Sequence, residues 1–370
     1  MVEVRGTMNK RACEKISPVD GVEVLTSSRS IKTGINPLLL WLGLLNFNTF
    51  RARSKNLSRC FLFLTVGIVL SGCSRTDTDG QESALEEPVG TTEGFPRTLE
   101  TFDGPITIPK RPVRIVSQTV FTDEVLLEIC DPDRIAGIHV LSLEPEYSNC
   151  VEKAETLRDR AVIGAEPVIS LEPDLIFIAG YTSADTVAQL QAGARAPIVR
   201  FTKYDSVQDI ENNIRAVGSA IAEEASAEAL IRTLHSRIEA AISKIPEGAT
   251  PPEVVSFNPA SMTAGEGTLF DDVLRIVGAR NVAAEHGIES FGQVGFEQIG
   301  SWDPQFIVSG AGPGAEEATR RWILDSPVLA ATRAGKSGRV VILEDRLFLS
   351  VSHHIAGLIE RLVEELYEVP

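Results

Sequence analysis

The sequence predicts an α/β protein of two Rossmann-like lobes joined by one long rigid α-helix, with a ligand cleft between the lobes. Three observations carry this. Apolar strand-like runs alternate with helical runs on both sides of a central stretch, the pattern of parallel α/β layers. That central stretch, Ser206 to Lys244, has apolar residues at three- to five-residue steps, no Pro and a single Gly. The flanking halves also repeat one another: EPVISLEPDLIFI (166–178) matches EQIGSWDPQFIVS (297–309) at an offset of 131. In each copy a Glu opens a short helix, a Pro stands seven residues later, and an apolar strand follows.

The chain has 370 residues, enough for two lobes at about 150 residues each. Residues 1–50 fit no place in the order that follows, and the reading expects translation to start near residues 50–57. Residues 51–59 (RARSKNLSR) are basic, and Cys60 to Leu70 is an apolar run of 11 residues. A membrane-spanning helix needs about 20. The run ends in Leu70-Ser71-Gly72-Cys73. Basic head, short apolar run and small-residue site make residues 51–72 a secretory signal. Its end resembles a bacterial lipobox, which implies that Cys73 carries lipid and begins the mature chain. Residues 73–95 are polar and acidic and read as a flexible tether.

The N-terminal lobe is placed at 96–205. VRIVS (113–117), RIAGIH (134–139), DLIFIAG (174–180) and PIVRF (197–201) are its strands, with helices over Asp123–Cys130 and Ala184–Ala192. The third is an unbroken apolar run, as expected of a strand buried on both faces. The connecting helix is placed at 206–246; about 38 helical residues would measure about 57 Å. PEGATPPE (246–253) stops it, and the C-terminal lobe occupies 247–370. There EVVSF (253–257), QFIVSG (305–310) and RVVIL (339–343) are strands. Helices are expected from Thr268 to Val277, Ala315 to Leu324 and about Val351 to Tyr367.

Charge narrows the function. Net charge is −16, but residues 1–72 carry 10 Lys/Arg and 4 Asp/Glu, leaving −22 on the remainder. So acidic a body excludes nucleic acid as a natural partner, since that affinity rests on basic side chains at phosphates. GAGPG (310–314) follows a strand and opens a helix, as a dinucleotide loop does. The third Gly of that fingerprint is missing, and the acidic residue, Glu344, is 34 positions on rather than about 20. A tight loop bordering a cleft is the better reading. The five His are scattered, with only His353 and His354 adjacent, which offers no bare-metal centre. No nucleophile elbow, Walker loop, HExxH or paired catalytic carboxylates appear, so the chain reads as a non-enzyme without a catalytic residue or cofactor. Outside the cytoplasm Cys130 and Cys150 could pair, closing a loop worth roughly 3 kcal/mol in the chain-entropy model.

The lipobox, acidic tether, two lobes and connecting helix together resemble the siderophore/cobalamin (class III) group of ABC-transporter substrate-binding proteins. KRPVRIVSQTVFTDEVLLEI (110–129), DRIAGI (133–138), AEPVISLEPDLIFI (165–178), LFDDVLRIVGARNVAAEHG (269–287) and VGFEQIGSWDPQFIV (294–308) carry the likeness in order. It implies a lipid-anchored receptor in the periplasm, or on the cell surface of a Gram-positive. The receptor captures a ferric siderophore, heme or corrinoid and hands it to a permease dimer driven by its ATPase. An extracytoplasmic sensor or enzyme on the same lobes, or a bare-metal receptor, are the alternatives. It further implies that Glu166 and Glu297 meet the two permease subunits. Loops after strands offer Phe121, Tyr181, Met262, Phe291, Phe348 and His353 as ligand-binding residues, suited to a large planar or aromatic chelate. Arg333 and Arg346 are the cations expected to serve an anionic one.

Overall fold

The computed structural model describes residues 94–368. Residues 1–50, the signal segment, Cys73 and the tether up to residue 93 lie outside these residues.

The N-terminal lobe begins with an antiparallel hairpin, β1 (Arg97–Thr101) and β2 (Gly104–Ile108), in register from Arg97 opposite Ile108. Next come β3 (Ile115–Ser117), α1 (Val120–Ile129), β4 (Ile135–His139), α2 (Val151–Glu155), β5 (Ala161–Val162) and α3 (Ala165–Ser170). β6 (Leu175–Ala179), α4 (Ala184–Gly193) and β7 (Ile198–Phe201) complete the lobe. Five strands pair in parallel in the order β5-β4-β3-β6-β7. β6 is buried at all five residues, as its unbroken apolar run predicts. Thr119 caps α1 by accepting from the Phe121 N–H, and Ser183 caps α4 through the Thr186 N–H. Such caps satisfy donors that the first turn leaves open.

The expected single rod over 206–244 is not one helix. It is a hairpin of α5 (Val207–Ile221) and α6 (Glu224–Ile242). Ala222 turns the chain in a left-handed conformation with φ of 60°. Antiparallel packing places Glu211 against His235 at 2.6 Å and Arg215 against Glu228 at 2.8 Å. Gly218 makes the crossing possible, since a Cβ there would lie 2.5 Å from the Ala227 Cβ. The turn is clamped by arginines: Arg111 and Arg134 both reach Glu223 at 2.7 Å, and Arg134 also donates to the Ile221 carbonyl. α6 spans about 28 Å at 1.5 Å per residue, half the predicted length.

The C-terminal lobe holds β8 (Glu253–Ser256), β9 (Met262–Ala264), α7 (Leu269–Ile276), β10 (Arg280–Asn281), α8 (Val282–Glu285) and β11 (Phe291–Gln293). α9 (Phe296–Trp302), β12 (Phe306–Ala311), α10 (Glu316–Leu324), α11 (Pro327–Ala330), α12 (Arg333–Ser337), β13 (Val340–Glu344), α13 (Asp345–Phe348) and α14 (Ile355–Tyr367) follow. Four strands pair in parallel as β10-β8-β12-β13, while β9 and β11 form a separate antiparallel pair.

The largest buried apolar cluster belongs to neither lobe alone. It runs from Ile115 and Leu175 through Ile214 and Leu234 to Val254, Leu343, Ile359 and Leu362. α6 packs on α14, and Arg237 grips Glu360 with two bonds of 2.9 and 2.8 Å. Smaller clusters lie beyond it, around Val168 and Ile178 in one lobe and around Phe257 and Ile299 in the other.

Candidate functional site

In open parallel sheets, ligands bind beyond the carboxyl ends of strands where the chain reverses its direction across the sheet. The N-terminal lobe has that switch between β3 and β6, and the C-terminal lobe has it between β8 and β12. The loops leaving all four strands converge on one cleft of about 370 Å³. Thr119 and Phe121 follow β3, Tyr181 follows β6, Asn258 to Ala260 follow β8, and Gly310 to Gly312 close β12.

The walls are aromatic. Phe121 is held edge-on by Phe201 and Tyr204, at 5.4 and 5.5 Å between ring centres. Phe348 meets Phe270 edge-on at 5.7 Å across the α13–α7 contact. Tyr147, Tyr181 and Tyr204 add phenols, and burial pushes Tyr181 up to about 12, so its ring is neutral and an O–H donor.

The floor is acidic. Glu124 lines the cleft, and Asp123 is buried beside it in the first turn of α1. Asp123 accepts from the His139 N–H at 2.8 Å and from the Ser142 hydroxyl, while its Oδ1 has no partner. Glu124 accepts from the Asn149 N–H at 2.7 Å and from the Ser352 hydroxyl, which belongs to the opposite lobe. Asn149 in turn donates to the Arg346 carbonyl at 2.8 Å. Glu124 is thus both a lining residue and a polar tie between lobes. Loss of water raises both carboxyls, Asp123 to about 8 and Glu124 to about 7. His139 accepts from the Leu141 N–H through Nδ1 at 3.2 Å, and burial lowers it to about 4. Its imidazole is therefore neutral, with the proton on Nε2.

Of the residues singled out in the sequence, Phe121, Tyr181 and Phe348 line the cleft. Met262 and Phe291 are not among its lining residues: they sit on the antiparallel pair β9 and β11, and Phe291 packs against the main core. His353 is also off the lining, buried before α14 with its ring 4.0 Å from that of His354. Its neighbour Ser352 makes the bond to Glu124. Cys130 and Cys150 are both buried free thiols, not a bridge. Cys130 Sγ faces the Asp131 carbonyl at 3.5 Å and Cys150 Sγ the Ser148 hydroxyl at 3.2 Å. The cations expected for an anionic ligand also lie elsewhere. Arg346 pairs with Glu344, and Arg333 pairs with Asp303 and with Glu253, which opens β8 at the end of the sheet away from the cleft. Glu166 and Glu297 occupy the first turns of α3 and α9, both exposed and without an ion pair among the described residues. Neither accepts a capping bond.

Glu146, Asp345, Tyr147 and Asn258 were not anticipated. Glu146, Tyr147 and Asn258 come from short loops without a motif, and Asp345 opens the one-turn helix α13. Glu124 left a trace, since Asp123-Glu124 interrupts an otherwise apolar VF–VLL run. Gly310 and Gly312 are explained by close approach: a Cβ at Gly310 would lie 2.2 Å from Asp345 Oδ1, and one at Gly312 3.1 Å from Glu146 Oε1. Among the described residues no group of three or more His, Cys, Asp and Glu converges to hold a metal ion, and no helix is long and apolar enough to cross a membrane.

Two lobes, mirrored switch points and a shared cleft define a bilobal binding protein. The family model for periplasmic binding proteins matches residues 115–347, and the chain belongs to that family. It is 27% identical over 316 residues to YvrC of Bacillus subtilis (strain 168), an uncharacterized ABC transporter substrate-binding lipoprotein. That alignment covers 82% of this chain and 95% of YvrC. Among solved structures it resembles the periplasmic heme-binding protein RhuT from Roseiflexus sp. RS-1, with TM-score 0.58 and 22% identity, covering 69% of this chain and 98% of RhuT. The heme-binding protein HmuT gives TM-score 0.59 and 21% identity, covering 74% of this chain and 90% of HmuT. At these identities the structural likeness speaks for the fold.

Proposed function

We propose that this protein is the extracytoplasmic substrate-binding component of an ABC importer for a metal chelate, lipid-anchored through Cys73. The observation that carries the reading is the cleft: one cavity built from the strand ends of both lobes, walled by aromatic rings. That is the form of a site that captures a molecule larger than an ion. YvrC, named a substrate-binding lipoprotein, and RhuT and HmuT, named heme-binding, support it. Glu166 and Glu297, exposed at matching places in the two lobes, supply the permease contacts. Charge pairs of that kind set register and encounter rate more than affinity.

A titration of the purified protein with cobalamin, heme and ferric siderophores tests this. Trp322 stacks on Phe257 behind the cleft and, with Trp302, reports binding by fluorescence. Saturable binding with the chelate recovered unchanged is expected; turnover of the recovered molecule would replace the receptor with an enzyme. The anchor has its own test. Cys73→Ser protein should leave the membrane fraction, and its retention there would remove the lipobox from the account.

A further inference from the structure

Resting on the chelate-receptor reading, we propose that the cleft selects its ligand by charge: it takes cationic or neutral chelates and turns away anionic ones, through Glu146 and Asp345. Among the described residues three carboxyl side chains, Glu124, Glu146 and Asp345, and no Lys or Arg line the cavity. Glu146 comes from the N-terminal lobe and Asp345 from the C-terminal lobe, so both walls contribute.

The nearby cations are already committed. Arg346 turns to Glu344, Arg237 to Glu360 and Lys153 to Glu128. Glu146 and Asp345 form no salt bridge among the described residues. Burial raises Asp345 to about 6, and the charge of Glu146 adds to the shift. Two like charges against an apolar wall gain from a cation placed between them and lose from a further anion. Below them Asp123 is fully buried beside Tyr181, with one oxygen unpartnered.

His139 does not reverse this sign. Its Nδ1 accepts a hydrogen bond from the Leu141 N–H, so Nε2 carries the proton and is a donor rather than a ligand. Coordination of iron through Nε2 would require that bond to break and the proton to change nitrogen. The ring also stays neutral, as its lowered pKa requires. The long-range field agrees with the local one, since residues 73–370 carry −22 and a cleft focuses such a field. An anionic tris-catecholate, or a heme with two propionates, would set carboxylate or catecholate oxygens against these side chains. A ferric trihydroxamate bearing an ammonium arm would place its cation between Glu146 and Asp345.

The test uses four probes on the same protein: a ferric trihydroxamate with one primary ammonium, the same chelate with that amine acetylated, a ferric tris-catecholate, and heme. Calorimetric affinities at low and moderate salt give the ranking. The cationic chelate should bind about tenfold tighter than its acetylated form, with the advantage shrinking as salt rises. In Glu146→Gln/Asp345→Asn protein that ratio should fall below about threefold. Glu146→Gln alone, on a partly exposed loop, gives an intermediate ratio and covers the case in which the double variant does not fold. Tris-catecholate or heme binding as tightly as the cationic chelate overturns the charge selection and leaves the receptor reading standing. So does an unchanged ratio in the folded variants. Failure of all four probes, and of cobalamin as a further neutral chelate, on folded protein overturns the receptor reading and the charge selection together.

Discussion

In the N-terminal lobe the chain leaves β3, crosses outward through β4 and β5, and returns on the other side as β6. In the C-terminal lobe it leaves β8, crosses to β10, and returns as β12. The route is the same, and Glu166 and Glu297 stand at the same step of it. The contents of the cleft are not the same. The N-terminal lobe brings Glu124, Glu146, a neutral His139 and three tyrosines; the C-terminal lobe brings a Gly-rich loop, Phe348 and Asp345. The path and the outer carboxylates are shared, while the facing loops differ. Features outside the cleft should therefore behave as a pair, and features inside it should not.

The largest effect tests the pair. Glu166→Ala with Glu297→Ala should cut transport by about tenfold or more while ligand affinity and Tm stay near wild type, because both groups are exposed and unbonded. Each single variant should lose a comparable share. A large loss from one and none from the other would break the equivalence of the lobes, and normal transport by the folded double variant would remove both from docking.

Next comes the tie that only the N-terminal lobe supplies. Glu124→Ala strands the Ser352 hydroxyl and the Asn149 N–H, and should cost about 1–3 kcal/mol in denaturant unfolding. Glu124→Gln, which keeps an acceptor, should cost less. Equal losses would mean that side-chain volume, not the bond between lobes, matters at this position.

The buried acids and the buried histidines should also answer pH with opposite signs. Asp123 and Glu124 have folded pKa values of about 8 and 7, above the unfolded 3.8 and 4.5. The folded state holds the extra protons, so this stability is complete below pH 4 and is lost as pH rises to 8. His353 and His354 of the C-terminal lobe run the other way, lowered from 6.5 to about 4 and 3 by burial, with Arg237 and Lys153 adding. Their contribution is present above pH 6.5 and is lost on acidification toward pH 3; His139 follows them. Between pH 6.5 and 8 only the two acids act strongly, so Tm should decline there. Asp123→Asn should flatten that decline; an unaltered slope would show that Asp123 is ionised in the fold.

The smallest effect concerns the turn between α5 and α6. Ala222→Gly should stabilise by about 0.5–1 kcal/mol, since Gly meets no Cβ penalty in the left-handed region. A loss would show that chain entropy outweighs relief at φ 60°.

Much of this plan was legible before any coordinates. The β6 run, the two Glu–Pro repeats and the strand ends announced themselves because burial on two faces and helix starts leave local patterns. The α5–α6 hairpin did not. The step from Ala225 to Leu230 is five residues, which slides the apolar stripe, and Gly218 marked the crossing, yet periodicity alone reads through both. The cleft was half legible for a different reason. Phe121, Tyr181 and Phe348 follow strands in sequence, whereas Glu146 and Asp345 matter through the lobe they face, and Met262 and Phe291 follow a strand pair that stands apart from the main sheet. Partnership across 200 residues has no local signature.

The apolar core that runs from the first sheet through α6 to α14 bears on how the chain becomes a protein at all. α14 is the last helix, and Ile355, Ile359, Leu362 and Val363 close a face that α6 presents more than a hundred residues earlier. Until that segment arrives, the first lobe has no complete interior. Folding must wait for nearly the whole polypeptide, with loop-closure entropy met late. Deleting α14 should therefore leave no free-standing first half, only a protease-sensitive polypeptide.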